Sequence, residues 1–286
     1  MQTQETPYPP KPLTLNLVGA GRVGQTLAQL WHRSQGFVVQ DVLTNSLASA
    51  QAACAVIGAG QPVESAQGMR SADVWMLAVP DARIGESAQS LADALRAKAC
   101  AAPPVVFHCS GAQSSESLAP LSALGWQVAS AHCILSFASV SAALQQFPGT
   151  PCALEGNALA CAVLRRAFSA IGARCFNVAS QDKLLYHAAA VFATNFLPVL
   201  QSTAEDLWQS TGMPADLICH LRATLLRNCV ANITALGPQG ALTGPAARGD
   251  TAAIARQGAA VAAWDAQTGA AYEALSALAL RMARKD

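Results

Sequence analysis

Apolar positions along the chain fall into two regimes. Over residues 13–179, short apolar runs alternate with stretches of helical spacing. Residues 13–18, 37–43, 74–79, 105–108 and 128–135 read as strands, and 23–34, 85–98 and 118–124 as helices. Strands alternating with helices imply a doubly wound α/β domain, a parallel sheet with helices on both faces. Beyond 179 the alternation stops. Residues 181–211, 215–236 and 250–284 have helical periodicity, broken by Pro198, Gly212-Met213-Pro214 and the loop 237–245. The expected organisation is a loose proline-rich arm over 1–12, an α/β domain over 13–179 and an all-helical domain over 180–286. Residues 150–179 fit either added edge strands or the start of the second domain.

Gly19-Ala20-Gly21-Arg22-Val23-Gly24 is a GxGxxG that directly follows the first strand and opens the first helix. In that setting Gly19 permits the tight turn, Gly21 lets backbone amides approach a pyrophosphate, and Gly24 allows close helix–sheet packing. The helix N-terminus adds unpaired N–H groups and a partial positive charge. Residues 13–179 therefore read as a Rossmann dinucleotide-binding domain. In an NAD site an acid about 20 positions beyond the loop accepts the ribose 2′-hydroxyl. Asp41 is the acid nearby, but the apolar run continues through Val42 and Leu43 into Thr44-Asn45-Ser46. Those neutral donors, with Arg22, suit a 2′-phosphate, so the segment favours NADP(H). If the strand stops at Asp41, it reads as NAD(H). Val79-Pro80-Asp81 closes the next strand at the carboxyl edge of the sheet, where ligands bind in such folds. Asp81 also suits a helix cap.

Chemistry has four candidate places. His108-Cys109-Ser110-Gly111 ends one strand and offers an imidazole and a hydroxyl to a substrate carbonyl or carboxylate. His132 and Ser136 end the next strand, where the histidine also fits a core position. Lys183 and His187 are four residues apart and share a helical face. Asn195 lies two turns further along that helix, and Tyr186 reads as core. A lysine or histidine there could protonate the atom that gains electron density during hydride transfer. Arg248, in Leu242-Thr243-Gly244-Pro245-Ala246-Ala247-Arg248-Gly249-Asp250, could clamp a carboxylate or anchor its loop through Asp250.

Composition then narrows the classes. Charged residues are only 12% of the chain, against a usual share of about 25%, and hydrophobic ones 52%. A formal charge of +1 gives no basic footprint for nucleic acid. The longest apolar stretch, 188–200, is interrupted by Thr194, Asn195 and Pro198 and is shorter than the ~20 residues of a span, so no membrane partner is expected. Nine scattered cysteines without CxxC spacing, behind a polar N-terminus, read as reduced thiols in a cytoplasmic protein. No metal-ligand spacing is present.

The motifs, taken in order, resemble a known family. They are Gly19-x-Gly21-Arg22-Val23-Gly24, Val79-Pro80-Asp81, His108-x-Ser110-Gly111, Tyr186-His187-Ala188-Ala189-Ala190 with Asn195, and Leu242-Thr243-Gly244-Pro245 with Arg248-Gly249-Asp250. Together they look like bacterial proteins that join a Rossmann-like domain to a helical domain of unknown function, DUF2520. The resemblance implies 6-phosphogluconate-dehydrogenase-like architecture and an NADP-dependent oxidoreductase. Its wider relatives are pyrroline-5-carboxylate reductases, β-hydroxyacid dehydrogenases and deazaflavin-linked NADP reductases. In β-hydroxyacid dehydrogenases a lysine and an asparagine four residues apart carry catalysis. Lys183 matches that lysine, but His187 stands at the asparagine position. Of their Ser-Gly-Gly substrate loop only Ser136 survives, before Phe137-Ala138, and Cys133 stands where this family tends to have proline.

The expected function is hydride transfer between NADP(H), or NAD(H), and a small carbonyl, hydroxy acid or imine. Lys183 or His187 would donate the proton, while Ser110, Asn195 and Arg248 position substrate. The alternatives are a non-catalytic NADP(H)-binding sensor or partner protein and, disfavoured by the helical second domain, an S-adenosylmethionine methyltransferase. Long apolar helices after 179 predict a homodimer through that domain.

Overall fold

A computed structural model describes residues 12–96 and 102–284. The proline-rich arm and the end of the helix expected at 85–98 lie outside the described residues. The chain divides into two compact units, the first ending at Val191 and the second beginning at Phe192.

In the first unit the chain runs β1 (Leu13–Val18), α1 (Arg22–Arg33), β2 (Phe37–Leu43), α2 (Leu47–Ile57), β3 (Gln61–Val63), β4 (Val74–Leu77) and α3 (Ile84–Leu95). It continues through β5 (Val105–His108), α4 (Ala119–Ser122), β6 (Gln127–Cys133), α5 (Val140–Gln146), β7 (Pro151–Gly156), α6 (Ala158–Ala170), β8 (Arg174–Asn177) and α7 (Lys183–Ala190). Eight strands form one sheet in the order β3-β2-β1-β4-β5-β6-β7-β8. Residues 150–179 thus add edge strands to the sheet rather than opening a separate body. All neighbours are parallel except β6 and β7. The seven-residue α5 explains that exception. At 1.5 Å per residue it is about 10 Å long, too short to carry the chain back along a strand of ~23 Å, so β7 starts at the edge where β6 ends. The expectation of an all-parallel sheet is corrected at this one pair.

Both sheet faces are covered, so the central strands are mostly apolar, with Asn16 of β1 and His108 of β5 as buried polar exceptions. One core packs Leu27, Trp31, Ile57, Leu164 and Phe168 against the sheet, and Trp31 Nε1 donates to Ala167 O at 2.9 Å. The other packs Ile84, Leu91, Leu118, Leu121 and Trp126 on the opposite face.

The second unit contains α8 (Phe196–Ser210), α9 (Ala215–Ala241, broken at Gly237), α10 (Gly244–Ala247), α11 (Thr251–Trp264) and α12 (Ala266–Ala283). A π-turn, Val191–Asn195, joins α7 to α8, so the run is interrupted before Pro198 rather than at it, and Pro198 sits in the first turn of α8. The helical run Ser180–Ser210 is, by length and composition, long and apolar enough to cross a membrane. Its first turn carries Lys183, which is buried against polar partners of the sheet.

Candidate functional site

The carboxyl edge of the sheet carries two features. The first is a groove of about 710 Å³ over the ends of β1, β2, β3 and β4. Gly19, with φ +79°, makes the turn out of β1; a Cβ there would lie 2.6 Å from Ala78 O. Gly24 packs α1 onto the sheet, its Cβ position 3.0 Å from the Ala78 side chain. Gly21 differs from both. Nothing lies within 4 Å of its Cβ position, and as N-cap of α1 it leaves the first-turn amides without a side-chain acceptor. A small anion in front of Gly21 would meet unpaired N–H groups and the positive helix end, which is how a pyrophosphate is held. The groove therefore fits a dinucleotide.

Of the residues expected at the cofactor, Gly19, Ala20, Gly21, Thr44, Asn45, Val79 and Pro80 line this groove. Ser46 instead caps α2, accepting from Ser49 N at 3.2 Å, and Val23 packs against the core. Arg22 turns to the loop after β6 and donates to Ala138 O at 2.9 Å. The NAD(H) alternative required the strand to stop at Asp41, and β2 runs past Asp41 to Leu43. Asp41 is 1% exposed, and its carboxylate accepts from Arg70 N at 2.6 Å and pairs with the Arg70 guanidinium. Glu64, after β3, is a carboxylate that does line the groove.

The second feature is a polar cluster at the ends of β5 and β6, joined by α7. His108 is fully buried. Its Nδ1 accepts from Ser110 N, so its Nε2–H donates to Ser114 O at 3.0 Å, and burial holds its pKa below the usual histidine value. It shapes the loop rather than facing a ligand. Ser110 Oγ donates to Asp81 Oδ2 at 2.6 Å and accepts from Ala112 N and Gln113 N. Asp81 thus braces the β5 loop instead of capping a helix.

Lys183 is 2% exposed and donates to Ser110 O at 3.1 Å and Ser130 Oγ at 2.7 Å. Ser130 Oγ in turn donates to Glu155 Oε2 at 2.8 Å, and Glu155 also accepts from Ser115 N, Ser115 Oγ and Ser180 Oγ. Burial pushes the Glu155 carboxyl up, yet the bonds from Ser180, Ser115 and Ser130 outweigh it and hold the group below the usual carboxylate range. Burial lowers the Lys183 pKa, partly opposed by the charges of Glu155 and Asp81.

Next to this network, His132 Nδ1 lies 2.8 Å from Tyr186 Oη, and the His132 ring packs edge-on against His187. Burial, with His187 and Lys183 adding to it, lowers the His132 pKa to about 4, so its imidazole is neutral at pH 7. Desolvation raises the Tyr186 pKa, keeping the phenol protonated.

With this geometry in view, two domain families match the chain. A Rossmann-like domain matches residues 3–133 and the domain of unknown function DUF2520 matches residues 150–279. The chain belongs to the Rossmann-like/DUF2520 proteins. A solved protein from Thermotoga maritima is 25% identical with a TM-score of 0.72, over 94% of this chain and 98% of that one. A Bacteroides fragilis protein, provisionally described as an NADP oxidoreductase, is 21% identical with a TM-score of 0.69, over 95% and 99%. The Plasmodium falciparum pyrroline carboxylate reductase with NADP bound is 11% identical with a TM-score of 0.55, over 96% and 99%. No curated protein sequence matches the chain. The last two likenesses establish a shared fold.

In this Rossmann-like/DUF2520 chain the DUF2520 match begins at 150, so β7, β8 and Glu155 come from the second family yet complete the sheet of the first. Glu155, Ser130 and Glu64 are missed by sequence reasoning; a carboxylate in an apolar run, Ala153-Leu154-Glu155, is the signal that could have found the first. Asn195 closes the π-turn, its Oδ1 accepting from Thr194 Oγ1 at 2.7 Å, and Arg248 caps α10. Both belong to the second unit, whereas Ser110, Lys183 and His187 are brought together in the first.

Proposed function

We propose that the protein is an NADP(H)-dependent oxidoreductase acting on a small carbonyl or imine. The observation that carries this reading is the Gly21 gap, an open anion-sized space before an uncapped helix end, at the same sheet edge as an imidazole–phenol cluster. Gly19, Ala20 and Gly21 would hold the pyrophosphate, with Val79 and Pro80 beside it. Thr44 and Asn45 would meet the ribose end, and the absence of an acid at the end of β2 supports NADP(H) over NAD(H). A bound reduced nicotinamide would supply the hydride.

The protein's own part is to meet charge developing on the substrate oxygen or nitrogen. Lys183 spends two of its three N–H donors on Ser110 and Ser130, which makes it a positioning residue for the β5 loop. His187 stands nearer the role of substrate contact, with His132 and Tyr186 behind it. Oxidation of NADPH with a panel of small ketones and cyclic imines tests the proposal. Turnover that falls on the order of 10²-fold in His187→Gln, with NADPH affinity retained, is the expected result. Unchanged turnover in His187→Gln would remove that residue, and binding without turnover on the whole panel would favour a sensor role.

A homodimer through the helical unit belongs to the same proposal. Ile218 is its one buried apolar residue beyond alanine and glycine among the described residues, while Val199, Val230, Ile233 and Leu236 are exposed. A second copy would cover them. Light scattering at micromolar concentration should give twice the monomer mass; a monomer would overturn the dimer.

A further inference from the structure

Gly111 lies in the loop after β5, and its missing side chain is where two imidazoles meet. A Cβ built there would lie 2.5 Å from His187 Nδ1 and 2.9 Å from His132 Nε2. His187 Nδ1 is also the one buried side-chain nitrogen or oxygen among the described residues that has no hydrogen-bond partner. Any residue other than glycine at 111 would push both rings away, so the close approach depends on this position.

A neutral imidazole carries a proton on one ring nitrogen and a lone pair on the other. The contact with Gly111 discriminates between them. An N–H at Nδ1 would be buried without an acceptor and pressed against a C–H, forfeiting a strong hydrogen bond. A lone pair at Nδ1 instead faces the weakly polarised Cα–H of Gly111, which is a weak donor. The proton then belongs on Nε2, on the far side of the ring.

We infer that Gly111 holds His187 as its Nε2–H tautomer, and that the site consequently takes a substrate whose reacting atom accepts a hydrogen bond: a carbonyl oxygen rather than a protonated imine. This rests on the oxidoreductase reading above. A protonated imine nitrogen has a proton and no lone pair, so it would set donor against donor at Nε2. A carbonyl oxygen meets that N–H with a lone pair and is polarised by it, the role a neutral histidine plays when it acts as an electrophile. The His187 proton stays in place, since losing it would leave an imidazolate. The hydrogen that completes a product hydroxyl comes from water. The neighbouring His132, its pKa lowered to about 4 by burial, is neutral at pH 7 and does not repel a protonated substrate or replace the carbonyl.

The test combines a spectrum with a pair of probes. Full-length protein labelled with ¹⁵N-histidine gives two-bond ¹H–¹⁵N correlations, with the His187 signals identified by their loss in His187→Gln. The Nε2–H pattern is expected at pH 7, and Gly111→Ala should displace it. An Nδ1–H or doubly protonated pattern in the unsubstituted protein overturns the inference. With NADPH, cyclopentanone should be reduced faster than 1-pyrroline by about tenfold or more, the ratio for leaving one buried donor unmatched. Equal or reversed rates overturn the substrate class. Absence of stabilisation by either NADPH or NADH would instead overturn the oxidoreductase reading, and the substrate class with it, whatever the tautomer.

Discussion

Replacing Glu155 by glutamine removes one charge from the polar network while keeping its shape. The carboxylate is 5% exposed and accepts four hydrogen bonds at 2.8 Å, from Ser115 N, Ser115 Oγ, Ser130 Oγ and Ser180 Oγ. A glutamine amide nitrogen can only donate, and Ser115 N–H cannot reverse. The nitrogen must therefore take the Oε1 position, where the hydroxyls of Ser115 and Ser180 can rotate to accept. The larger loss is that of the counter-charge for Lys183, whose ammonium reaches Glu155 through the Ser130 hydroxyl. Removing one partner of a buried pair costs about 3–5 kcal/mol, and a hydroxyl-bridged pair belongs at the low end, about 3 kcal/mol. At roughly 2–4 °C per kcal/mol for a domain this size, unfolding should fall by about 6–12 °C at pH 7.

The pH dependence gives the second half of the assay. Glu155 has its carboxyl held below the ordinary value of 4.5 in the folded protein. Its contribution is therefore complete above about pH 4.5 and disappears as pH falls through the depressed folded value. Thermal unfolding followed by circular dichroism should show the unsubstituted protein and Glu155→Gln converging in acid. A difference under 2 °C at pH 7, or a gap that stays constant down to pH 3, would refute the reasoning; the 2 °C limit corresponds to roughly 1 kcal/mol or less.

Two glycines should separate folding from binding. Gly19→Ala forces a side chain into left-handed backbone and onto Ala78 O, so unfolding temperature and NADPH binding should both fall. Gly21→Val enters open space at an extended backbone position, φ −72° and ψ −169°, so the fold should stay within about 1 kcal/mol while NADPH stabilisation disappears. Asp41→Asn removes a buried charge from the Arg70 guanidinium and should lower the unfolding temperature without changing the NADPH-to-NADH preference; a changed preference would put the ribose back at Asp41.

The parts of this protein that sequence alone makes legible are those set by local rules. The GxGxxG turn, α1 and the apolar strands β1, β2, β4 and β5 follow from spacing within a few residues. The end of β2 was legible too, because the apolar run through Val42 and Leu43 outlasts Asp41. What spacing does not encode is register between distant strands. Ser130 meets Glu155 as direct partners across the antiparallel β6–β7 pair, and only that register joins Lys183 to a carboxylate. The same holds for Gly111, His132 and His187, which come from three elements. Tyr186 reads as core in a helical pattern, and its phenol acquires a role only through His132. The π-turn at Val191–Asn195 likewise leaves no periodic signal.

The central claim is that the groove before Gly21 holds a dinucleotide. Thermal unfolding of the purified protein during titration with NADPH, and separately with NADH, tests it most directly. At one hundred times its dissociation constant a ligand adds about 2.7 kcal/mol, an easily resolved shift. Stabilisation is expected from NADPH, weaker or absent from NADH, and from neither in Gly21→Val. A chain that responds to neither dinucleotide would contradict it.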